Sequence, residues 1–294
     1  MRVAIASGKG GTGKTTLATN LAALLAGRGV AVRLLDCDVE EPDCHLFRRP
    51  DVKRCEPVTV PVPTVDEDRC TSCGVCAEVC AFKAITVVGA TVLVFPELCH
   101  SCGACTMLCP ESAIHEDGCV TGEVEFGTVA LEGRHEFPLI TGRLAVGEAK
   151  AVPTIRATMA AADAGGVDVV LVDAPPGTSC PVIESVRDAD LVVLVTEPTP
   201  FGLHDLRLAV AMVRALGLPC VAAVNRADLG DDRVQRFCAA EEIEIILELP
   251  FERSIATAYA GGELLVDVVE GYEESIGATW DRIVAATRIV EASA

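Results

Sequence analysis

Six short runs of the chain are almost wholly apolar: "RVAIAS" (2–7), "VRLLDCD" (32–38), "VDVVLVDA" (167–174), "DLVVLVTE" (190–197), "CVAAVNRA" (220–227) and "IEIILELP" (243–250). A strand with one wet face alternates apolar and polar residues, whereas a parallel strand covered on both faces reads as a near-continuous apolar run. The segments between have helical patterns. "TTLATNLAALLAGRG" (15–29) is an alanine- and leucine-rich helix stopped by Gly27 and Gly29, and "LHDLRLAVAMVRAL" (203–216) and "YEESIGATWDRIVAATRIVE" (272–291) follow further on. This alternation predicts an α/β fold, a mainly parallel sheet flanked by helices on both sides.

The alternation is broken once. Pro50 to Thr64 contains Pro57, Pro61 and Pro63; proline removes ladder donors and stiffens extended chain, so this stretch reads as a connector. A cysteine-rich unit follows to about Glu116. Within it "CTSCGVCAEVCAFKAI" (70–85) aligns without gaps on "CHSCGACTMLCPESAI" (99–114) at an offset of 29, with all four cysteines, the glycine and the closing Ala-Ile coinciding. The expected organisation is one α/β domain formed by residues 1–59 and 119–294, with residues 60–118 as a small inserted α+β unit made of duplicated halves.

Charge narrows the partners. The net charge of −19 argues against a nucleic-acid binder, which would present a basic face. No run reaches the roughly 18 apolar residues of a spanning helix, and the longest candidate, Leu17 to Val32, is interrupted by Asn20 and Arg28. The final helix has an apolar stripe of Ile276, Trp280, Ile283 and Val284 between acidic flanks, which fits core packing better than an anionic membrane. The opening residues lead straight into a glycine-rich loop, so no signal peptide is expected and the chain reads as cytoplasmic. Fifteen cysteines, odd in number and clustered, suit metal-binding thiolates in a reducing compartment rather than a disulfide framework.

Gly8 to Thr15 spells G-x-x-x-x-G-K-T between a strand and a helix, the context that a phosphate-binding loop requires. Gly8, Gly10, Gly11, Thr12 and Gly13 would wrap backbone N–H groups around phosphate oxygens at a helix amino terminus, with Thr16 in the first turn. Lys14 would reach the β- and γ-phosphates and Thr15 would place its hydroxyl on Mg²⁺. Asp36 and Asp38 start on one face of the next strand; Asp36 would hold the water shell of the metal and Asp38, further into the loop, would orient the attacking water. Asp173 ends "VVLVDAPPG" and would be a further partner of the Mg²⁺ shell. Loop and acids together point to Mg²⁺-dependent phosphoryl transfer from ATP.

"KGGTGKTT", "LLDCD" and "VDAPPGT" together resemble the MinD/ParA class of P-loop ATPases, which also contains the nitrogenase iron protein. The resemblance covers roughly residues 1–50 and 120–294, and "VTEPTPFGLHDL" and "GRLAVGE" are similar to the subgroup with an inserted ferredoxin domain. It implies a homodimer joined through the nucleotide face, in which Lys9 reaches across to the nucleotide of the partner and makes hydrolysis depend on dimerisation. It also implies that Asn225 contacts the adenine, with backbone near Pro250 and Phe251.

C-x2-C-x2-C-x3-C occurs at Cys70, Cys73, Cys76 and Cys80 and again at Cys99, Cys102, Cys105 and Cys109. In bacterial ferredoxins the fourth cysteine of each run serves the other cluster. By that rule one [4Fe–4S] cluster takes Cys70, Cys73, Cys76 and Cys109, and the other takes Cys99, Cys102, Cys105 and Cys80. Zinc is the competing ligand, although zinc modules usually hold two pairs across a longer spacer. Ala81 stands where proline normally follows the fourth cysteine, while Pro110 keeps it. Acids Asp66, Glu67, Asp68, Glu78, Glu97, Glu111 and Glu116 outnumber Arg69 and Lys83 here, so a redox or metalloprotein partner should offer a positive face.

The leading expectation is an ATPase that couples nucleotide state to its clusters, for gated electron transfer or for metallocluster assembly. A positioning factor of the MinD/ParA kind and a plain electron carrier are the alternatives.

Overall fold

Successive residues of the central strands enter two different cores. Val3 and Ile5 of β1 (Arg2–Ala6) join one apolar cluster while Ala4 and Ala6 join the other. Val169 and Leu171 alternate in the same way with Val170 and Val172. Side chains of a strand point to opposite faces in turn, so both faces of the sheet are dry, as the continuous apolar runs predict. The structure is a computed structural model and describes residues 1–133, 135–163 and 165–293.

In chain order, β1 is followed by α1 (Lys14–Gly27), β2 (Val32–Asp36), α2 (Cys44–Phe47), β3 (Asp51–Val65), α3 (Val75–Val79), β4 (Ile85–Val88), β5 (Thr91–Val94), α4 (Ala104–Met107), β6 (Ile114–Val129) and β7 (Phe137–Leu144). Then come α5 (Ala151–Ala160), β8 (Val169–Asp173), α6 (Cys180–Val186), β9 (Leu191–Thr196), α7 (Pro200–Ala215), β10 (Cys220–Asn225), α8 (Arg233–Ala240), β11 (Ile245–Leu249), α9 (Arg253–Ala260), α10 (Leu265–Val268) and α11 (Tyr272–Ser293). The main sheet runs β11-β10-β9-β1-β8-β2-β7-β6-β3. Its pairs from β11 to β7 are parallel, and the last two are antiparallel. Leu21 and Leu24 of α1 and Ile276, Trp280 and Ile283 of α11 fill one face; Ile155 of α5, Val182 of α6 and Leu206, Val210 and Val213 of α7 fill the other. The apolar stripe of α11 is therefore core, and among the described residues no helix is long and apolar enough to cross a membrane.

One expectation is corrected. Residues 51–65 are not a connector but a full strand, paired with β6 from Asp51↔Thr128 to Val65↔Ile114. Proline is tolerated because β3 is the edge strand, where an N–H turned outward has no ladder partner to lose. β7 ends at Leu144, opposite Gly122, so the outer halves of β3 and β6 run on as a two-stranded ribbon about 25 Å beyond the sheet at ~3.4 Å per residue. The ribbon carries α3, the β4–β5 hairpin and α4 at its far end.

Helix α5 lies close against β6 and β7 because two glycines admit it. A Cβ on Gly122 would sit 2.4 Å from Thr154 Oγ1, and one on Gly142 would sit 2.4 Å from Thr158 Oγ1 and 2.7 Å from Val39 Cγ1. Thr158 cannot step aside without leaving its 2.9 Å bond to the Thr154 carbonyl. Gly142→Ala is thus expected to destabilise the fold by about 1–3 kcal/mol through overpacking, read as a lowered thermal midpoint; an unchanged midpoint would show that α5 can shift.

Candidate functional site

The loop between β1 and α1 is built on Gly11 (φ 75°) and Gly13 (φ 101°), in the left-handed region that favours glycine. Gly10, Gly11, Gly13, Lys14, Thr15 and Thr16 line a cleft of about 430 Å³ together with Asp38, Asn225, Pro250 and Phe251. Residues far apart in sequence thus line one cleft. Of the residues assigned to wrap the phosphates, Gly8 and Thr12 stand outside this lining. Gly8 lies against α7, where a Cβ would come within 2.4 Å of the Asp205 carbonyl oxygen, and Thr12 is buried behind the loop. The Asn225 side-chain amide donates to the Thr12 carbonyl at 2.9 Å, so it braces the loop as well as facing the cleft.

Lys9 turns away from the cleft. Its ammonium donates to Glu197 Oε2 at 3.0 Å, and the Arg226 guanidinium lies 2.8 Å from Glu197 Oε1, an ion pair without hydrogen-bond alignment. Arg226 in turn sits 5.6 Å over the Phe251 ring. Glu197 and Arg226 were missed from sequence. The signal was present for Glu197: like Asp36 and Asp173 it is an acid at the end of an apolar strand run, and its side chain is only 7% exposed.

Parallel pairing of β2 with β8 sets Asp36 opposite Asp173, and both are buried. Asp36 accepts the Cys44 N–H at 3.0 Å and the Asp38 N–H at 3.3 Å, and the Cys44 thiol donates to Asp173 Oδ2 at 3.6 Å. Asp173 Oδ1 is buried without a hydrogen-bond partner among the described residues. Burial, reinforced by Asp173, holds the Asp36 carboxyl well above its ordinary value. Burial raises Asp173 to about 6 against the opposing pull of Lys14 and Thr15. Asp38 is raised to about 7, again chiefly by burial, with Lys14 opposing. Such a site is short of positive charge, and a cation among the acids would supply it. The donor set of carboxylates and the Thr15 hydroxyl fits Mg²⁺, which takes oxygen ligands.

The eight repeat cysteines fall into two cavities. Cys70, Cys73, Cys76 and Cys109 line one; Cys80, Cys99, Cys102 and Cys105 line the other. The backbone repeats with the sequence: Ser72 and Ser101 (φ 56° and 54°) and Lys83 and Ser112 (φ 56° and 49°) take matched left-handed conformations. N–H groups of Ser72 and Ser101 donate to Cys70 and Cys99 at 3.4 Å, and those of Ala84 and Ala113 donate to Cys80 and Cys109 at 3.2 and 3.3 Å. Burial would raise the Cys80 thiol, but backbone donors from Ala84, Phe82, Ile85 and Lys83 bring it below its ordinary value. One tetrahedral zinc with bonds of ~2.3 Å would hold its sulfurs about 3.8 Å apart. Among the described residues no three cysteine thiols lie within 4.8 Å of one another. Lys150, just before α5, ties this unit to the body by donating to the Pro96 carbonyl at 2.9 Å and the Cys99 carbonyl at 3.5 Å. Of the other cysteines, Cys37 and Cys238 are buried in the core, and Cys44 sets its thiol against the Asp173 carboxylate.

The raised carboxyls give a signed pH dependence. Unfolded aspartates titrate near ~3.9, so between about pH 4 and 7 the folded chain binds more protons, and stability falls as pH rises. Without metal or nucleotide, the thermal midpoint should drop from pH 5.5 to 8, and Asp38→Asn or saturating Mg²⁺-ADP should flatten the drop. A midpoint that climbs with pH would refute the raised carboxyls.

Residues 3–277 match the family described as the CobQ/CobB/MinD/ParA nucleotide binding domain. An uncharacterised protein of Methanocaldococcus jannaschii is 31% identical over 284 residues, covering 96% of each chain. An iron-sulfur cluster carrier protein of the same organism is 24% identical over 227 residues, 76% of this chain and 59% of its own length. Among solved structures, the septum site-determining protein MinD of Pyrococcus horikoshii OT3, complexed with Mg-ADP, superposes with a TM-score of 0.57 at 16% identity over 96% of this chain and 95% of its own. With a family match across nearly the whole chain and the same fold in a nucleotide-bound neighbour, the chain belongs to the CobQ/CobB/MinD/ParA nucleotide-binding family.

Proposed function

We propose that the protein is a Mg²⁺-dependent ATPase that acts as a homodimer and couples its nucleotide state to two [4Fe–4S] clusters held in an inserted ferredoxin-like unit. The observation that carries this is the sorting of the eight cysteines into two cavities, each with three thiols from one half of the repeat and the fourth from the other half. Iron-sulfur cluster carriers among the relatives support the pairing of this nucleotide fold with iron-sulfur chemistry. Each ligand set is complete within one chain. That favours resident clusters and gated electron transfer over cargo; the carrier relatives favour the second reading, metallocluster assembly. The clusters would supply one-electron chemistry. The protein is proposed to work in the cytoplasm with a redox or metalloprotein partner.

In this reading the loop glycines and Lys14 bind the phosphates, Thr15 with Asp36 and Asp173 positions Mg²⁺, and Asp38 orients the attacking water. Asn225, Pro250 and Phe251 face the adenine. Lys9 is held in cis by Glu197 in the single chain, so its action on the partner's nucleotide requires leaving that ion pair as the dimer closes. A cation supplied in trans stabilises charge developing on the phosphates.

Lys9→Ala should therefore bind nucleotide normally but lose ATP turnover by on the order of 10³-fold; turnover within twofold of the parent would remove Lys9 from the mechanism. An anaerobic EPR redox titration without nucleotide and with Mg²⁺-ATP should show at least one cluster midpoint displaced by roughly 60 mV, or about 1.4 kcal/mol for one electron. If both midpoints stay fixed, gating fails and assembly becomes the better account.

A further inference from the structure

Cys44 has no part in the phosphate chemistry, and a buried thiol is by default a small apolar packing residue. Its surroundings here are not apolar. The Cys44 thiol and one oxygen from each of Asp36 and Asp173 lie within 4.8 Å of one another, and all three residues are buried. The Cys44 N–H anchors Asp36 at 3.0 Å while its thiol leans on Asp173 Oδ2 at 3.6 Å. The other Asp173 oxygen, fully buried, has no hydrogen-bond partner among the described residues. Neighbouring Cys37 faces elsewhere, with its thiol 3.6 Å from the Met159 sulfur.

The geometry points to a thiophilic divalent cation, of the zinc or ferrous kind, as a second occupant of this place, with Asp36, Cys44 and Asp173 as its three protein ligands. Mg²⁺ takes oxygen donors and leaves a thiol alone, so with Mg²⁺ bound Cys44 stays protonated beside the site. A softer ion accepts thiolate sulfur, and three protein ligands with one open position is a common arrangement for zinc. On binding, the Cys44 S–H proton and any proton held by the two carboxyls pass to solvent as the bonds to the metal form, and no electron moves. The fourth position is left for water or a phosphate oxygen. An ion seated this way occupies the acids that Mg²⁺ needs and arrests the nucleotide cycle, so the enzyme would respond to free thiophilic metal. The inference rests on the reading of Asp36 and Asp173 as the cation-binding acids.

The test loads one equivalent of Zn²⁺ into the cluster-bearing protein without nucleotide or Mg²⁺ and records the zinc K-edge absorption spectrum. The expected result is one sulfur at about 2.3 Å among lighter ligands. In Cys44→Ser and Cys44→Ala the sulfur should vanish and zinc affinity should fall at least about tenfold, while Mg²⁺-ADP affinity stays within twofold. Absence of sulfur in the parent spectrum overturns the inference. So does a spectrum of three or four sulfurs with loss of iron, which would put zinc in the cluster cavities. If a variant folds poorly, judged by iron content, the parent spectrum alone decides. ATP turnover measured without zinc is a separate readout: its absence would sink the proposed function and leave the zinc spectrum standing.

Discussion

Two carboxylates are pressed together beyond the reach of water because β2 and β8 pair in parallel, with Asp36 opposite Asp173. An uncompensated buried charge costs several kcal/mol, so much around this pair reads as compensation. Lys14 is itself buried, amides of Cys44 and Asp38 point at Asp36, and the carboxyls are pushed toward their protonated forms. A cation and a polyphosphate would complete this balance.

The cysteine unit obeys a different constraint. Its apolar clusters are tiny: Val62, Ala84 and Cys99 form one, and Cys76, Ile85 and Ile114 another. Units of this size seldom close a stable core without metal or disulfide support. Here two of the repeat cysteines, Cys76 and Cys99, are themselves among the buried residues, so metal centres held there would be part of the interior of the unit rather than an addition to it. The nucleotide domain, with two large apolar clusters on its sheet faces, has no such dependence.

The parallel strands were legible because burial on both faces leaves a one-letter trace, a run without alternation. The phosphate loop and cysteine repeats were legible because their chemistry needs fixed spacing. β3, β6 and β7 were not read as strands. Their exposed and polar residues, the three prolines of β3 and Gly118, Gly122, Gly127 and Gly142 all weaken the local signal, and edge position or close helix packing is what makes them acceptable. Lys9 shows another limit. Its spacing marks it for phosphate chemistry, but no local pattern says that Glu197, 188 residues away, holds it in the single chain. Cys44 lies 129 residues from Asp173 along the chain, and the return of α2 toward β8 is what brings its thiol onto that carboxylate.

The ribbon of β3 and β6 ends with Val65 directly opposite Ile114. In an antiparallel pair such residues lie only about 5 Å apart, so everything between them begins and ends at one point in space. To the rest of the chain the cysteine unit is no longer than a hairpin turn. An ancestral domain could acquire it, duplicate its halves or lose it without moving a single strand of the parallel sheet, as insertions at exposed turns are generally tolerated. The same ribbon that isolates the unit during evolution would also carry any tilt of β7 and β6 outward along its length.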